Sequence, residues 1–340
     1  MPGKQSILVL LFRSSRLKKR INSKKKILLL ILFALLLTWI EHHFRIKNHL
    51  QKMYICWNDQ IEEPQLSKWF NSKKRSDVIT ITDWHAPIIW QETYNRQVLE
   101  KYYKRLNITI GLATLATRKF TNLYLEQFLE SANKHFMVGY NVIFYIFTDN
   151  IKRIPLVELG TFRTYKILPL IEEGSLADSD FIYMKTLSVN LIDSIQHEVN
   201  FFYIMTINQI FKSDFGVESL GKSVAQLHAW WYFKNTREYP YERRNKSTAF
   251  IPFGQGDFYY HRAIFGGTPR MILNFIRQYL KGFVQDTTKE LNCMYESYLN
   301  KYFFVNKPTK LLSPEYNWDP KFKTPSQIKH VKIVWQSEMT

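Results

Sequence analysis

The chain has 340 residues, 46% of them apolar and 16% aromatic, enough for one large domain or two small ones and for a full core. Its net charge of +18 is unevenly placed: residues 1–26 hold nine Lys or Arg and no acid, leaving +9 over the remaining 314 residues. Basic charge gathered beside an apolar run reads as a membrane-topology signal and argues against a nucleic-acid partner.

That run, Ile27–Ile40, is 14 residues without a charge. At about 1.5 Å per residue it reaches about 21 Å, short of the ~30 Å hydrocarbon core. Lys24–Lys26 can snorkel at one end, and Trp39 suits the interface at the other. A cleaved signal peptide is the rival reading, but Glu41-His42-His43-Phe44-Arg45 offers no small-residue cleavage site. The expected organisation is a cytoplasmic basic tail (1–26), a signal-anchor transmembrane helix (27–40), a stem (41–75) and a lumenal domain (76–340). The body holds only Cys56 and Cys293, and no structural disulfide is expected. Two triplets, Asn107-Ile108-Thr109 and Asn245-Lys246-Ser247, fit N-glycosylation. Asn245 is the better acceptor, because Asn107 opens a core strand.

Ile108–Thr114 has the β-branched, apolar character of a first buried strand. Thr121–Phe136 shows helical spacing, with Leu125, Phe128, Leu129, Ala132 and Phe136 on one face. Asn141–Phe147 reads as a buried strand ending at polar Thr148-Asp149, and Thr164–Leu168 as another. Leu187, Leu191 and Ile195, four apart, mark a helix leading into Phe201–Met205, five consecutive apolar residues that read as a buried strand. Polar Thr206-Ile207-Asn208 follows, at the strand end where open α/β sheets bind ligands. Strands alternating with helices predict an α/β domain with a mixed, mostly parallel sheet.

After Phe211 the pattern loosens into aromatic runs, Leu227–Phe233 and Gly256–Phe265. Adjacent Trp230 and Trp231, taken as strand neighbours, face opposite sides, so that one is buried and the other lines a cleft suited to sugar faces. Gly266-Gly267-Thr268-Pro269 breaks the chain before a helix through Leu280, and a second helix over Lys289–Asn300 carries Glu296. By itself a lone helical glutamate reads as a solvated surface group.

These stretches together resemble family 6 retaining glycosyltransferases, the group of α1,3-galactosyltransferase and the blood-group A and B transferases. The likeness runs from Asp83 to Trp335. It is carried by SANKHFMVG (131–139), GVESLG (216–221), AQLHAWWY (225–232), YERR (241–244), GDFYYHRAIFGGTP (256–269) and LNKYFFVNKPTKLLSPEYNWD (299–319). It implies a GT-A, Rossmann-like fold in a single-pass type II Golgi membrane protein. It also implies retaining transfer of galactose or N-acetylgalactosamine from a UDP-sugar to a glycan acceptor, with Mn²⁺ as cofactor.

Carried over position by position, the donor side falls on Leu115, Ala116, Thr117, Arg118, Lys119 and Phe120, and on Thr206, Ile207 and Asn208 in place of the metal-binding Asp-x-Asp. The resemblance places donor-sugar selectivity on His261, Arg262 and Ala263, acceptor contacts on His228, Ala229, Trp230 and Trp231, and the nucleophile or front-face stabiliser on Glu296. Thr206 and Asn208 replace both carboxylates of the metal pair, and neutral oxygens hold hard cations weakly. Tyr183 stands for an arginine, Arg262 for a small residue in the sugar pocket, Tyr295 for an acid and Gln255 for a glutamate; Cys293-Met294 stands for Trp-His. Glu338 stands where a phosphate-binding lysine is usual. Two readings remain open: a weak or metal-independent transferase, and a glycan-binding or partner protein that keeps the fold without the chemistry.

Overall fold

Along Phe201–Met205 (β5) every residue is buried, yet successive side chains leave the sheet in opposite directions. Phe201, Tyr203 and Met205 enter one apolar layer and Phe202 and Ile204 the other. Neighbouring Asn141–Thr148 (β3) divides in the same way, Val142, Phe144 and Ile146 against Tyr145 and Phe147. A sheet covered on both faces explains why its strands read as continuous apolar runs.

The computed structural model describes residues 62–117, 123–155, 157–171 and 178–336, together with Leu36, Thr38 and Trp39. The basic tail, the rest of the apolar run 27–40 and the chain from 40 to 61 lie outside the described residues, as do Arg118, Lys119, Phe120 and Glu338. Among the described residues no helix is long and apolar enough to cross a membrane.

Eight strands form the central sheet: Ile88–Ile89 (β1), Thr109–Ala116 (β2), β3, Arg163–Pro169 (β4), β5, Ser223–Leu227 (β7), Tyr260–Gly267 (β8) and Lys310–Leu312 (β9), in the order β1-β9-β7-β8-β5-β2-β3-β4. All neighbours are parallel except β8, which runs antiparallel to both β5 and β7. The fold is therefore mixed α/β with a mostly parallel sheet. Gly266 lies opposite Tyr203 in this register, and a Cβ there would stand 2.4 Å from the tyrosine ring, so only glycine fits. A separate antiparallel pair joins Gln209–Phe211 (β6) to Ile333–Trp335 (β10).

Of the helices, α1 is Leu66–Trp69, α2 Arg96–Arg105, α3 Leu123–His135, α4 Ser179–Asn190, α5 Ala229–Tyr232, α6 Pro269–Thr287 and α7 Tyr295–Val305. α2 and α3 contribute Leu99, Tyr103, Leu125, Phe128 and Leu129 to the first layer. α4, α6 and α7 contribute Leu187, Phe275, Ile276 and Leu299 to the second. The helical run around Leu191 continues α4 as a wider turn over Leu191–Ile195.

Several elements differ from the sequence reading. α6 continues to Thr287, past Leu280. α7 starts at Tyr295 rather than Lys289, because Glu290 adopts a left-handed φ of 59° in a turn ahead of it, and Glu296 thereby falls in the first helical turn. Trp230 and Trp231 are on α5, not on a strand. Residues 62–75, expected in the stem, share one folded unit with everything that follows. There Trp69 is buried, and fully buried Arg75 bonds Glu315.

Candidate functional site

Because β2 and β5 are parallel neighbours, their C-terminal ends open at the same edge of the sheet. β8 enters there from the opposite direction, and the first turns of α4 and α7 close the sides. The result is a cavity of about 460 Å³, walled by Leu115 near the end of β2 and Thr117 just after it, Met205 at the end of β5 and Thr206–Asn208 beyond it, Asp180 and Tyr183 on α4, Arg262 on β8, Tyr295 on α7 and Trp335 on β10.

Thr206 N–H donates to the Ala263 carbonyl at 3.1 Å, extending the β5–β8 ladder by one residue. That register sets Arg262 across from the Thr206-Ile207-Asn208 triplet. The Arg262 guanidinium pairs with Asp180 at 2.8 Å and lies 5.1 Å from the centre of the Tyr295 ring. Burial works against the arginine's charge, but Asp180, Tyr295 and Glu296 outweigh it and raise its pKa. Burial also raises the Asp180 carboxyl, against the pull of Arg262. Asp178 caps α4 by accepting from the N–H groups of Asp180 (2.8 Å) and Phe181 (3.1 Å), which fixes the turn that presents Asp180.

The Thr206 hydroxyl accepts from Gln209 Nε2 at 2.9 Å, and the Asn208 carbonyl accepts from Gln336 N–H at 2.8 Å. No carboxylate stands at the triplet, and the one carboxylate in the described wall, Asp180, is held by Arg262. This donor set does not fit a hard divalent cation, which needs charged oxygen ligands at open positions. Of the other expected donor-side residues, Leu115 and Thr117 line the cavity, Ala116 and Ala263 are buried, and His261 is not part of the cavity wall but packs its ring against Trp335, which is.

Arg262 connects this cavity to a second cluster. Its backbone N–H donates to Glu296 Oε1 at 2.9 Å, while the Tyr259 hydroxyl donates to Oε2 at 3.2 Å. Burial raises the Glu296 carboxyl, and these two donors oppose the shift. The expected solvated surface glutamate is thus a half-buried, twice-bonded group. Ligand atoms of His228, His261 and Glu296 lie within 4.8 Å of one another, a set that could hold a metal ion. However, His228 caps α5 by accepting from Trp230 N–H at Nδ1, 3.2 Å away, so the neutral ring carries its proton on Nε2. In that tautomer His228 donates a hydrogen bond rather than ligating a cation. Burial lowers the His228 pKa to about 4 and pushes that of His261 well down. His261 Nδ1 lies 2.8 Å from Asn317 Nδ2, and its ring 5.1 Å from Trp335.

Aromatic groups surround this cluster. Trp231 packs against Tyr239 and Tyr259, whereas Trp230 is 41% exposed and stacks at 4.7 Å on Phe322, with Lys234 over its ring. Ala229 is buried. Asn107 and Asn245 are both exposed, the latter in a turn whose Ser247 hydroxyl donates to Asp286. Sequence reading missed Asp180, Tyr259, Asn317 and Trp335 as neighbours of the site. The Asp178-Ser179-Asp180 cap was a usable signal for the first of these.

The family model of glycosyltransferase family 6 matches residues 37–340. The chain is 59% identical over 315 residues to N-acetyllactosaminide alpha-1,3-galactosyltransferase-like 1 of Mus musculus, covering 92% of this chain and 99% of that protein. It is 52% identical over 315 residues to glycosyltransferase 6 domain-containing protein 1 of Macaca fascicularis, covering 93% and 98%. With globoside alpha-1,3-N-acetylgalactosaminyltransferase 1 of Gallus gallus it shares 37% identity over 257 residues, 75% of each chain.

Proposed function

For this chain, which belongs to glycosyltransferase family 6, we propose a retaining hexosyltransferase of GT-A type that moves galactose or N-acetylgalactosamine from a UDP-sugar to a glycan acceptor. The observation that carries the reading is the position of Glu296. It sits between the cavity walled by its neighbours Tyr295 and Arg262 and the aromatic cluster of His228 and Trp231. A donor in the cavity and an acceptor against the aromatics would meet at this carboxylate. Glu296 would stabilise the oxocarbenium-like carbon as its bond to the diphosphate oxygen breaks, or bond to it before the acceptor hydroxyl displaces it. The electron pair of the broken bond leaves with the nucleoside diphosphate, whose oxygen takes up the proton that the acceptor hydroxyl loses. His228 Nε2–H would donate to an acceptor hydroxyl, and Trp230 offers a face for sugar stacking.

Neutral Thr206 and Asn208 support a metal-independent reaction, and no step here is routed through Mn²⁺. The apolar run Ile27–Ile40 behind its basic tail supports a type II membrane protein with Asn107 and Asn245 on the lumenal side, and the family resemblance implies the Golgi as its compartment. A second reading, glycan binding without transfer, draws on the Arg262–Asp180 pair, which occupies the cavity with its own charges. The full chain incubated with UDP-galactose or UDP-N-acetylgalactosamine and a β-galactoside panel separates the two. Transfer or donor hydrolysis that falls at least 100-fold in Glu296→Gln is expected. Turnover indifferent to that change would remove Glu296 from the chemistry, and binding without turnover would favour the second reading.

A further inference from the structure

We propose that Arg262 is the cation that receives the donor's diphosphate in this pocket, taking the place of a metal ion, and that Asp180 holds it in position until the anion arrives. The inference deepens the nucleotide-sugar reading and rests on it.

Three observations carry it. Arg262 and Asp180 are the only charged residues in the described wall of the cavity, so Arg262 is its one cation among the described residues. The β5–β8 register sets Arg262 across from Thr206-Ile207-Asn208, whose oxygens are neutral and partly engaged with Gln209. The guanidinium is still 37% exposed and lies 5.1 Å from the centre of the Tyr295 ring, so it has room to meet a ligand without leaving its support.

A planar guanidinium suits phosphate oxygens because its N–H groups can donate in parallel. Asp180 has a double effect. It keeps Arg262 aimed across the cavity in the free protein, and it offsets the positive charge that would otherwise bind the anion more tightly. The carboxylate competes with the ligand for the same donors, so the two substitutions should act in opposite directions.

The test is calorimetric titration of the full chain, purified in detergent, with UDP, with UDP-galactose and with inorganic pyrophosphate, in EDTA and again with Mn²⁺. Wild-type binding of UDP in EDTA is expected. Arg262→Ala should weaken it at least tenfold, Arg262→Lys should restore part of the loss, and Asp180→Asn should tighten it severalfold. An Asp180→Asn/Arg262→Ala chain, which leaves no unpaired carboxylate in the wall, should bind as weakly as Arg262→Ala, and thermal melting checks that both remain folded. UDP binding equal in Arg262→Ala and wild type would overturn the proposal, as would binding that demands Mn²⁺; both leave the nucleotide-sugar reading intact. Asp180→Asn that weakens UDP-sugar but not UDP would assign the pair to the sugar instead. A folded wild-type chain that takes neither UDP nor pyrophosphate in any condition would overturn both readings.

Discussion

The backbone N–H of Trp230 donates to His228 Nδ1, and that one bond sets which hydrogen-bonding face the ring offers to the acceptor side. It also makes the ring's charge state a stability matter. Burial lowers its pKa to about 4 from an ordinary 6.5, so between these values the unfolded chain holds a proton that the folded chain does not. Stability is therefore fully present above about pH 6.5 and is lost as pH falls towards 4, with a slope approaching one proton from this ring. Denaturant unfolding at several pH values between 4 and 7 should show that decline, and His228→Gln should make it shallower by that ring's share, with buried His261 keeping a slope of the same sign. An unchanged slope in the variant would mean that the ring is protonated in the folded state. Residue identities at this site were legible from motif likeness. Their bonds were not, since Glu296 is held by the backbone of Arg262, 34 positions away, and no residue-type signal encodes a backbone donor.

At the level of elements, the start of α7 decides where Glu296 lies. Asn300, one turn further along, bridges helix and sheet. Its Oδ1 accepts from Tyr260 N–H at 2.8 Å, and its Nδ2 donates to the carbonyls of Tyr260 and Glu296 at 2.9 Å. Asn300→Ala leaves buried backbone groups on β8 unpaired, at about 1–3 kcal/mol each. A loss of about 2 kcal/mol or more by urea unfolding is expected. Any transfer activity should fall further than stability accounts for, because the Glu296 backbone carbonyl loses a donor and the first turn of α7, which sets the carboxylate's position, is less firmly held. A change under about 0.5 kcal/mol would show that other contacts hold α7 in place. The strands β2, β3 and β5 were readable because a two-sided buried strand is a short unbroken apolar run. The Trp230-Trp231 step was misjudged because four aromatic residues carry no period long enough to tell a helical turn from a strand.

Across the whole body, a buried ionic hub joins distant parts of the chain. Arg75 bonds Asp77 at 2.8 Å and Glu315 at 3.3 Å, and Glu315 also accepts from the N–H groups of Gln91 (2.7 Å) and Lys329 (3.0 Å). The hub fastens the segment before β1 to the chain that leads into β10, and hence to Trp335 in the cavity wall. Removing one partner of a buried pair strands the other charge, so Arg75→Leu should cost about 3 kcal/mol or more. The denaturation midpoint should move accordingly, and Glu315→Gln in the same chain should recover part of the loss. Full stability in Arg75→Leu would show that the backbone donors alone satisfy Glu315.

By itself the sequence determined the α/β class, the succession of strands from Ile108 to Met205, the polar strand end at Thr206-Ile207-Asn208 and membership of family 6, because these rest on local periodicity and on ordered motifs. Only the tertiary structure decided that Arg262 meets Asp180 across 82 positions, that residues 62–75 belong to the folded body, and that Trp335 returns from the far end of the chain to wall the site. Those facts depend on strand order and on β8 running against its neighbours, which long-range pairing sets and local residue pattern does not record.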